Sequence, residues 1–282
     1  MAKTVVLYNP LSGNCTAQTV ERMFSDAIRY DVTQISDYAA LLNDLTEEDA
    51  LILCGGDGTL NRFANEIYEM DVKCDILYLP VGTGNDFAFD VIGSKCSEAP
   101  IPVKQYLKSL PTVTVNGTSY RFLNGVGFGI DGYCCEVGDE LRKKSDKSIN
   151  YAMIAIKGLL FHYKPTNAKI TVDGTEYCYK KVWLAPAMFG RFYGGGMMPT
   201  PGQTRDSDTV STLVFYGSGK LKTLMIFPSI FSGKHVAHKN AVAVLTGREI
   251  SVEFDSPRAL QIDGETILGV TSYKAVAPQR AE

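Results

Sequence analysis

The chain has 282 residues, of which 45% are hydrophobic and 21% are charged, and its formal net charge is -3. This length exceeds the usual single domain and predicts two. The hydrophobic content excludes the disordered and collagen-like classes, and the net charge gives no support for nucleic-acid binding. Seven cysteines, an odd number, favour a reducing compartment over a disulfide framework.

The N-terminal sequence shows no secretory signal, because no charged segment precedes a long apolar stretch with a small-residue cleavage site. No run approaches the roughly 18 consecutive apolar residues of a membrane span. We expect a cytoplasmic protein whose contact with a membrane, if it makes one, is peripheral at the inner surface.

The first part of the chain alternates between buried strands and amphipathic helices. Apolar runs predict the strands, and apolar residues at helical spacing predict the helices. The predicted strands are Thr4–Tyr8, Asp31–Ser36, Ala50–Cys54 and Ile76–Pro80, and the predicted helices are Thr16–Arg29, Tyr38–Leu45 and a segment from Leu60 to Ile67. This alternation indicates a parallel sheet with helices on both faces.

Beyond about residue 112 the pattern changes to short alternating runs, which predict antiparallel β structure. The pairs Asn116-Gly117 and Asp173-Gly174 are typical of hairpin turns. The predicted strands include Val113–Val115, Lys169–Val172, Lys181–Leu184 and Thr212–Tyr216. One helix is expected among them, between about Ser148 and Tyr163.

The most informative motif runs from Leu51 to Asn61 and reads LILCGGDGTLN. It places a glycine cluster between a buried strand and an amphipathic helix. Glycines allow close approach of the backbone, and the start of a helix presents unpaired N–H groups to an anion. The motif therefore predicts a phosphate-binding loop.

Asp57 lies inside this loop, where a carboxylate would repel phosphate unless a divalent cation or a catalytic hydrogen bond lay between them. This residue therefore predicts Mg²⁺ nearby. The alternative is a plain turn between strand and helix in which Asp57 is a helix N-cap.

Two further loops are expected at the same sheet edge, because both follow predicted strands. One is Asn9 to Gly13 and the other is Val81 to Asn85. Near the C-terminus, Asp263 and Glu265 flank Gly264 and would face the same side if extended. One could then hold a metal and the other accept a proton, unless the segment is an Asp-Gly hairpin with two solvated acids.

The motifs NPLSG, GGDGTLN, PVGTGNDFA, NGVGFGID, GGGMMPTP, FSGKH and QIDGE occur in an order and spacing that resemble the bacterial diacylglycerol kinases and their sphingosine and ceramide kinase relatives. The resemblance spans nearly the whole chain. GGDGT by itself also occurs in NAD kinases, whereas its combination with GTGNDFA and the late DGE is specific to the lipid kinases.

The resemblance implies an α/β fold: an N-terminal Rossmann-like three-layer nucleotide-binding domain and a C-terminal antiparallel β-sandwich domain, with the active site in the cleft between them. The expected boundaries are residues 1–112, with a return of about 268–282, for the first domain and 113–267 for the second. The oligomeric state stays open, with a homodimer among the alternatives.

The resemblance also implies the cofactors, ATP and Mg²⁺, and the residues around them. The expected ATP contacts are Asn9, Pro10, Leu11, Ser12, Gly13, Ser36, Gly55, Gly56, Asp57, Gly58, Thr59, Leu60, Asn61, Gly82, Thr83 and Asn85. The expected acidic network around the Mg²⁺ is Asp57, Asp131 and Asp263, and the expected general base is Glu265.

A lipid hydroxyl, most simply that of diacylglycerol, is the acceptor that the resemblance implies. The aromatic and Met-rich stretch from Ala187 to Pro199 either lines an acyl-chain cleft or forms part of the sandwich core. The basic residues Arg142, Lys143, Lys144 and Lys147 either meet an anionic membrane or lie in a solvated loop.

The chain departs from the family pattern at three positions. Relatives carry an acidic residue where this chain has Arg62, a basic residue where it has Phe89, and a metal-binding aspartate where it has Ser207. The missing basic residue leaves open a nucleotide- or lipid-binding protein without catalysis. The shared GGDGT loop leaves open an NAD kinase-like phosphotransferase.

Overall fold

The computed structural model describes residues 2–13, 15–144 and 151–279, and the chain divides into two compact units, Met1–Leu110 and Pro111–Glu282. None of the helices in these described ranges combines the length and apolarity that crossing a membrane requires.

The first unit contains a five-stranded sheet in the order β2-β1-β3-β4-β5, in which β5 alone runs antiparallel to its neighbour. The strands are β1 Thr4–Tyr8, β2 Ile28–Asp31, β3 Ala50–Gly55, β4 Asp75–Pro80 and β5 Ile101–Pro102. The helices are α1 Ala17–Met23, α2 Tyr38–Leu42, α3 Asp57–Ile67, α4 Asp86–Ile92 and α5 Lys104–Leu107.

Both faces of this sheet are buried, as the uninterrupted apolar strands predict. Val6 and Leu7 are adjacent in β1 and therefore point to opposite faces, yet neither is exposed to solvent. Val6 packs in one cluster with Ile52 of β3 and Val20 of α1. The predicted parallel sheet covered on both faces is confirmed.

The second strand lies earlier in the chain than the predicted Asp31–Ser36. It comprises Ile28–Asp31, pairs with β1 and ends where the Asp31 carboxylate accepts the backbone N–H and the hydroxyl of Thr33, at 2.8 and 2.7 Å. Because β2 is a partly exposed edge strand, hydrophobic periodicity does not mark it. The first helix is correspondingly shorter than predicted and ends at Met23.

The second unit contains an antiparallel sheet of ten strands among the described residues. The strands are β6 Thr112–Val115, β7 Thr118–Arg121, β8 Gly125–Phe128, β9 Thr166–Val172, β10 Thr175–Val182, β11 Ala187–Met188, β12 Val210–Phe215, β13 Val242–Gly247, β14 Glu249–Ile262 and β15 Glu265–Val276. Asn116 and Asp173 adopt positive φ in two-residue turns, so both predicted hairpins are confirmed.

The sheet folds over one apolar core because β14 is long and irregular. Its first half pairs with β9 and its second half with β8, with register shifts against β15 between the halves. Phe128 of β8 stacks on Phe254 of β14, with ring centroids 4.1 Å apart. The aromatic pair fills the space that the folded sheet encloses.

A return to the first domain was expected at about residues 268–282. Glu265–Val276 instead forms β15, which pairs with β14 and β6 of the second unit. Val270, Tyr273 and Ala275 are buried in the sandwich core, and this burial holds the strand there. Residues 280–282 lie outside the described residues.

Helical segments cover part of the second sheet. They are α6 Ile130–Lys144, α7 Tyr151–Lys157, a π-helical turn Gly158–His162, α8 Lys220–Ile226, and two 3₁₀ segments, Phe227–Ser232 and Lys234–Ala237. Only α7 and the turn after it correspond to the predicted helix; its first residues, Ser148, Ile149 and Asn150, lie outside the described part, as does the predicted membrane contact Lys147. The sequence patterns missed α6 and α8.

Candidate active site

Three loops of the first unit meet at the carboxyl ends of β1, β3 and β4. The side-chain amide of Asn9 donates to the Thr59 hydroxyl at 2.8 Å, and the Ser12 hydroxyl lies 3.2 Å from the same oxygen. The Asn9 N–H also donates to the carbonyl of Cys54, at 3.0 Å. Thr59 therefore links the first loop to the start of α3.

Glycines let these loops pack backbone against backbone. Gly13 has a φ of +54°, and a Cβ there would lie 2.1 Å from the carbonyl oxygen of Val81. A Cβ on Gly82 would lie 2.5 Å from the Cα of Gly56. Side chains at these positions would push the loops apart, so these glycines are required by packing between loops.

Gly58 differs from the other glycines, since a Cβ there would meet no atom within 4 Å. It is exposed and lies in the first turn of α3. The N-cap residue of this helix, Gly56, has no side chain with which to bind the first N–H groups. An open helix N-terminus of this kind binds anions through its N–H groups and its partial positive charge.

The Asp57 carboxylate caps a neighbouring helix. Its two oxygens accept the N–H groups of Asp86 and Phe87, each at 2.9 Å, and these residues begin α4. The sequence-based alternative had Asp57 as a helix N-cap in its own turn; it caps α4 instead. This contact joins the second loop to the third.

Asn85 is 2% exposed and has a left-handed conformation. Its side-chain amide donates to the carbonyls of Gly82 and Lys95, both at 2.8 Å. Asn85 therefore shapes the third loop from within, whereas Thr83 at the tip is exposed.

The remaining predicted ATP contacts differ in accessibility. Leu11 is exposed, Pro10 and Asn61 are half-buried, and the Leu60 side chain lies entirely in the core, so that only its backbone could reach a ligand. Ser36 lies between β2 and α2 and lines a pocket of about 500 Å³ together with Lys3 and Tyr30. Among the residues that the structure describes, no hydrogen bond joins Ser36 to the three loops.

In the second unit, Asp263 and Gly264 form the two-residue turn of the β14–β15 hairpin, and Asp263 has a φ of +45°. The Asp263 carboxylate turns back onto the segment before β8. It accepts the N–H groups of Asn124 and Gly125, at 2.8 and 3.0 Å, and that of Leu123.

Glu265 is the first residue of β15 and is exposed. The hairpin was the alternative interpretation of this segment, and it is the conformation found, although Asp263 is not a solvated acid. The two carboxylates therefore do not project side by side from an extended strand.

Asp131 lies in the first turn of α6 and is buried. The Tyr193 hydroxyl donates to its Oδ2, and the Gly132 N–H donates to its Oδ1, both at 3.0 Å. Burial raises the pKa of Asp131 to about 7, and the two hydrogen bonds only partly oppose that rise. The sequence did not reveal Tyr193 as a partner of Asp131, since it resembled any other buried aromatic residue.

Arg205 is a second residue that sequence patterns missed. It is buried, and its guanidinium donates to the Leu123 carbonyl at 2.6 Å and to the side-chain oxygen of Asn124. Arg205 and Asp263 therefore bind the same segment before β8. No local pattern marks it, because its partners are about 80 residues earlier in the chain.

The three carboxylates predicted to face Mg²⁺ are Asp57, Asp131 and Asp263. Each of them accepts hydrogen bonds from N–H or O–H donors. No group of three or more His, Cys, Asp or Glu side chains suited to a metal occurs in residues 2–13, 15–144 and 151–279. Kinase Mg²⁺ sites, however, use one or two carboxylates together with substrate phosphates. Carboxylate oxygens are ligands that Mg²⁺ accepts, so the chemistry of Asp57 in the first unit, and of Asp131 and Asp263 in the second, suits this cation.

Two departures from the family pattern have local structural partners. The Lys95 ammonium lies 5.7 Å from the centre of the Phe89 ring, so a cation is present beside the position where relatives carry a basic residue. Ser207, in place of a metal-binding aspartate, bonds through its hydroxyl to the carbonyl of Thr209 at 3.2 Å.

The stretch from Ala187 to Pro199 was expected either to line an acyl-chain cleft or to form part of the sandwich core. Most of its apolar side chains are buried, which favours the core. Met188, Phe189, Phe192 and Tyr193 are buried, and Phe189 belongs to the sandwich core. Of the aromatic and methionine side chains in this stretch, Met197 and Met198 are the ones that are partly accessible.

Comparison with known proteins gives matches over both units. Residues 3–114 match the diacylglycerol kinase catalytic domain, and residues 124–281 match the YegS C-terminal NAD kinase beta sandwich-like domain. The chain is 25% identical over 269 residues to a diacylglycerol kinase of Mycobacterium tuberculosis, covering 90% of this chain and 85% of that one.

A diacylglycerol kinase of Bacillus subtilis is 23% identical over 284 residues, covering 94% of this chain and 90% of the relative. The crystal structure of a diacylglycerol kinase from Bacillus anthracis superposes with a TM-score of 0.64 at 21% identity, covering 98% and 94% of the two chains. This superposition confirms the α/β fold followed by a β-sandwich.

Proposed function

Because the chain belongs to the bacterial diacylglycerol kinase and lipid kinase family, we propose that it transfers the γ-phosphate of ATP to the hydroxyl of a lipid, diacylglycerol being the first candidate. The observation that carries the proposal is the meeting of three loops beside the open N-terminus of α3. This arrangement suits a polyphosphate, which needs N–H donors at close range.

In this proposal, the backbone of Gly56 to Thr59 binds phosphate oxygens, and the space above Gly58 admits them. Asn9 and Ser12 keep Thr59 in place, and Asp57 holds the third loop beside the second through its bonds to α4. Phosphoryl transfer depends mostly on such positioning, since the protein contributes little covalent chemistry.

Mg²⁺ bound to the phosphates would neutralise charge that develops during transfer. We propose Asp57, Asp131 and Asp263 as the carboxylates that face it. Asp57 and Asp263 already accept backbone N–H groups, so in this proposal phosphate oxygens and water would complete the coordination of the ion.

Glu265 is the proposed general base. Its side chain is exposed at the start of β15, next to a turn that Asp263 anchors by three hydrogen bonds. A carboxylate on a rigid turn can accept the proton of an attacking hydroxyl without rearrangement. The proposed place of action is the cytoplasmic surface of the membrane, where a lipid acceptor is available.

The test uses purified protein, ATP and Mg²⁺ with diacylglycerol, sphingoid, ceramide and glycolipid acceptors. We expect one of them to be phosphorylated. A coupled assay for NADP formation separates the NAD kinase activity, which we expect to be absent. ATP binding without any turnover across all acceptors would contradict the proposal and indicate a binding protein.

The Glu265→Gln variant tests the assignment of the base. We expect kcat to fall by about 10²- to 10⁴-fold while ATP binding persists, because only proton transfer is removed. The matched control is Glu253→Gln, which alters an exposed glutamate of β14 paired with Lys169 and should leave kcat unchanged. Normal turnover of Glu265→Gln would remove this residue from the mechanism.

A further inference from the structure

Large apolar side chains project into solvent from the helical segments of the second unit. Among all described residues, four large apolar side chains are more than 70% exposed. Three of the four, Phe161, Leu221 and Met225, belong to these helical segments. Scattered exposed apolar residues are ordinary, but a concentration of them marks an interaction surface. Met153, Ile156 and Phe231 are also exposed there.

These side chains come from elements that pack against one another. The Lys220 ammonium of α8 donates to the Leu160 carbonyl of the π-helical turn at 2.8 Å. Phe161 and Leu221 directly follow the two residues that make this hydrogen bond. Met225 lies one helical turn after Leu221 and on the same side of α8. We call Met153, Ile156, Phe161, Leu221, Met225 and Phe231 the apolar patch.

The segments that carry the apolar patch hold their positions through a separate, buried set of residues. Ile154, Leu159, Ile226, Phe227 and Ile230 pack in one core cluster with Trp183. The exposed side chains are therefore additional to those that this core requires. Their exposure is not explained by packing within the unit.

The charged side chains of the same segments are all basic. Residues 151–172 and 209–248 contain no Asp or Glu, although the whole chain has 31 acidic and 28 basic residues. Six lysines lie on or beside the patch segments: Lys157, Lys164, Lys220, Lys222, Lys234 and Lys239. The acidic residues of the neighbouring α6, such as Glu136 and Glu140, mark where this charge pattern ends.

We propose that the apolar patch and its surrounding lysines dock the protein on the surface of an anionic lipid bilayer. Apolar side chains on a helical surface with lysines around them insert into the interface between headgroups and acyl chains, while the lysines meet anionic headgroups. A second copy of the chain fits less well, because the lysines of the two copies would then face each other.

This proposal extends the proposed function, since a lipid acceptor is reached at a bilayer surface, but its test requires neither ATP nor turnover. Co-sedimentation is measured with vesicles of phosphatidylcholine alone and of phosphatidylcholine mixed with phosphatidylglycerol. The native protein should bind the anionic vesicles much more tightly, and raised salt should weaken that binding.

The apolar contribution is tested with the double variant Leu221→Gln/Met225→Gln. We expect about tenfold weaker binding to anionic vesicles, because less apolar surface enters the interface. The matched control is Met23→Gln/Leu268→Gln, which changes two exposed residues outside the patch and should bind as the native protein does. Both variants change exposed side chains, and circular dichroism and thermal unfolding verify that each is folded.

The charge contribution is tested with Lys234→Gln/Lys239→Gln, which should weaken binding to anionic vesicles by on the order of twentyfold. Its control is Lys73→Gln/Lys108→Gln, two exposed lysines of the first unit, which should have no effect. Failure of the native protein to bind anionic vesicles, or native-like binding by Leu221→Gln/Met225→Gln, would overturn the proposal.

Sedimentation velocity tests the alternative that a second copy of the chain binds the apolar patch. A dimer that Leu221→Gln/Met225→Gln converts to a monomer would assign the patch to a second copy and also overturn the proposal. If the native protein binds vesicles yet phosphorylates no lipid, the docking surface stands and the kinase activity fails. If it phosphorylates a short-chain soluble diacylglycerol but does not bind vesicles, the kinase activity stands and the docking surface fails.

Discussion

The hydroxyl of Tyr193 donates a hydrogen bond of 3.0 Å to Oδ2 of Asp131, and both side chains are buried. The two residues are 62 positions apart in the chain. The contact joins the aromatic stretch before the Gly194–Gly196 turn to the first turn of α6. A buried carboxylate with few donors is sensitive to the loss of any one of them.

The first prediction concerns the dependence of stability on pH. Because burial raises the pKa of Asp131 from 3.8 to about 7, the folded protein retains a proton that the unfolded chain loses over that interval. This carboxyl therefore contributes less stability as pH rises from about 4 to 7. Relative to Asp131→Asn, whose side chain does not titrate, the native protein should lose up to about 4 kcal/mol of unfolding free energy over this range.

Urea unfolding of both proteins at several pH values, with divalent cations removed by chelation, measures this difference. Other titrating groups are common to the two proteins and cancel. A difference in unfolding free energy that stays constant from pH 4 to pH 7 would contradict the raised pKa.

The second prediction concerns Tyr193→Phe. The substitution removes one donor from Asp131 and should destabilise the protein by about 1–3 kcal/mol at pH 8, where the carboxylate is charged. The loss should be smaller at pH 5, where Asp131 is protonated. The control is Tyr273→Phe, whose hydroxyl donates to the neutral Ala185 carbonyl at 2.9 Å. Its effect should be about 1 kcal/mol at both pH values, and equal pH dependence in the two variants would count against the Tyr193–Asp131 pair.

The third prediction separates the packing of loops from ligand binding. Gly82→Ala places a Cβ 2.5 Å from the backbone of Gly56 and should destabilise the first unit by about 1–3 kcal/mol. Gly58→Ala meets nothing within 4 Å and should leave stability equal or higher, because alanine favours helix. It should nevertheless raise the KM for ATP, since the methyl group enters the space proposed for phosphate. Calorimetry and steady-state kinetics test the two effects separately.

The fourth prediction concerns Asp57→Ala. Loss of the bonds to Asp86 and Phe87 should destabilise the protein by about 1–2 kcal/mol, as the loss of a helix cap does. Asp37→Ala is the control, because Asp37 caps α2 through the Ala40 N–H at 3.0 Å. Both variants should lose comparable stability, but only Asp57→Ala should lose kinase activity. Full activity in Asp57→Ala would show that its role is structural.

The features that the sequence by itself determined are those whose interactions are local. The buried run before Gly55 and the helical stripe after it mark β3 and α3, and Asn116-Gly117 marks its hairpin, because neighbouring residues decide each conformation. Edge strand β2 was placed too late in the chain, since its half-exposed residues carry little hydrophobic pattern.

Only the tertiary structure decided which side chains meet. Asp57 binds N–H groups about 30 residues later, and Asp263 binds N–H groups about 140 residues earlier. Tyr193 and Arg205 carry no local signal for the partners they have. Contacts of this kind depend on how the strands are ordered and paired, and the spacing of residues along a chain does not specify that order.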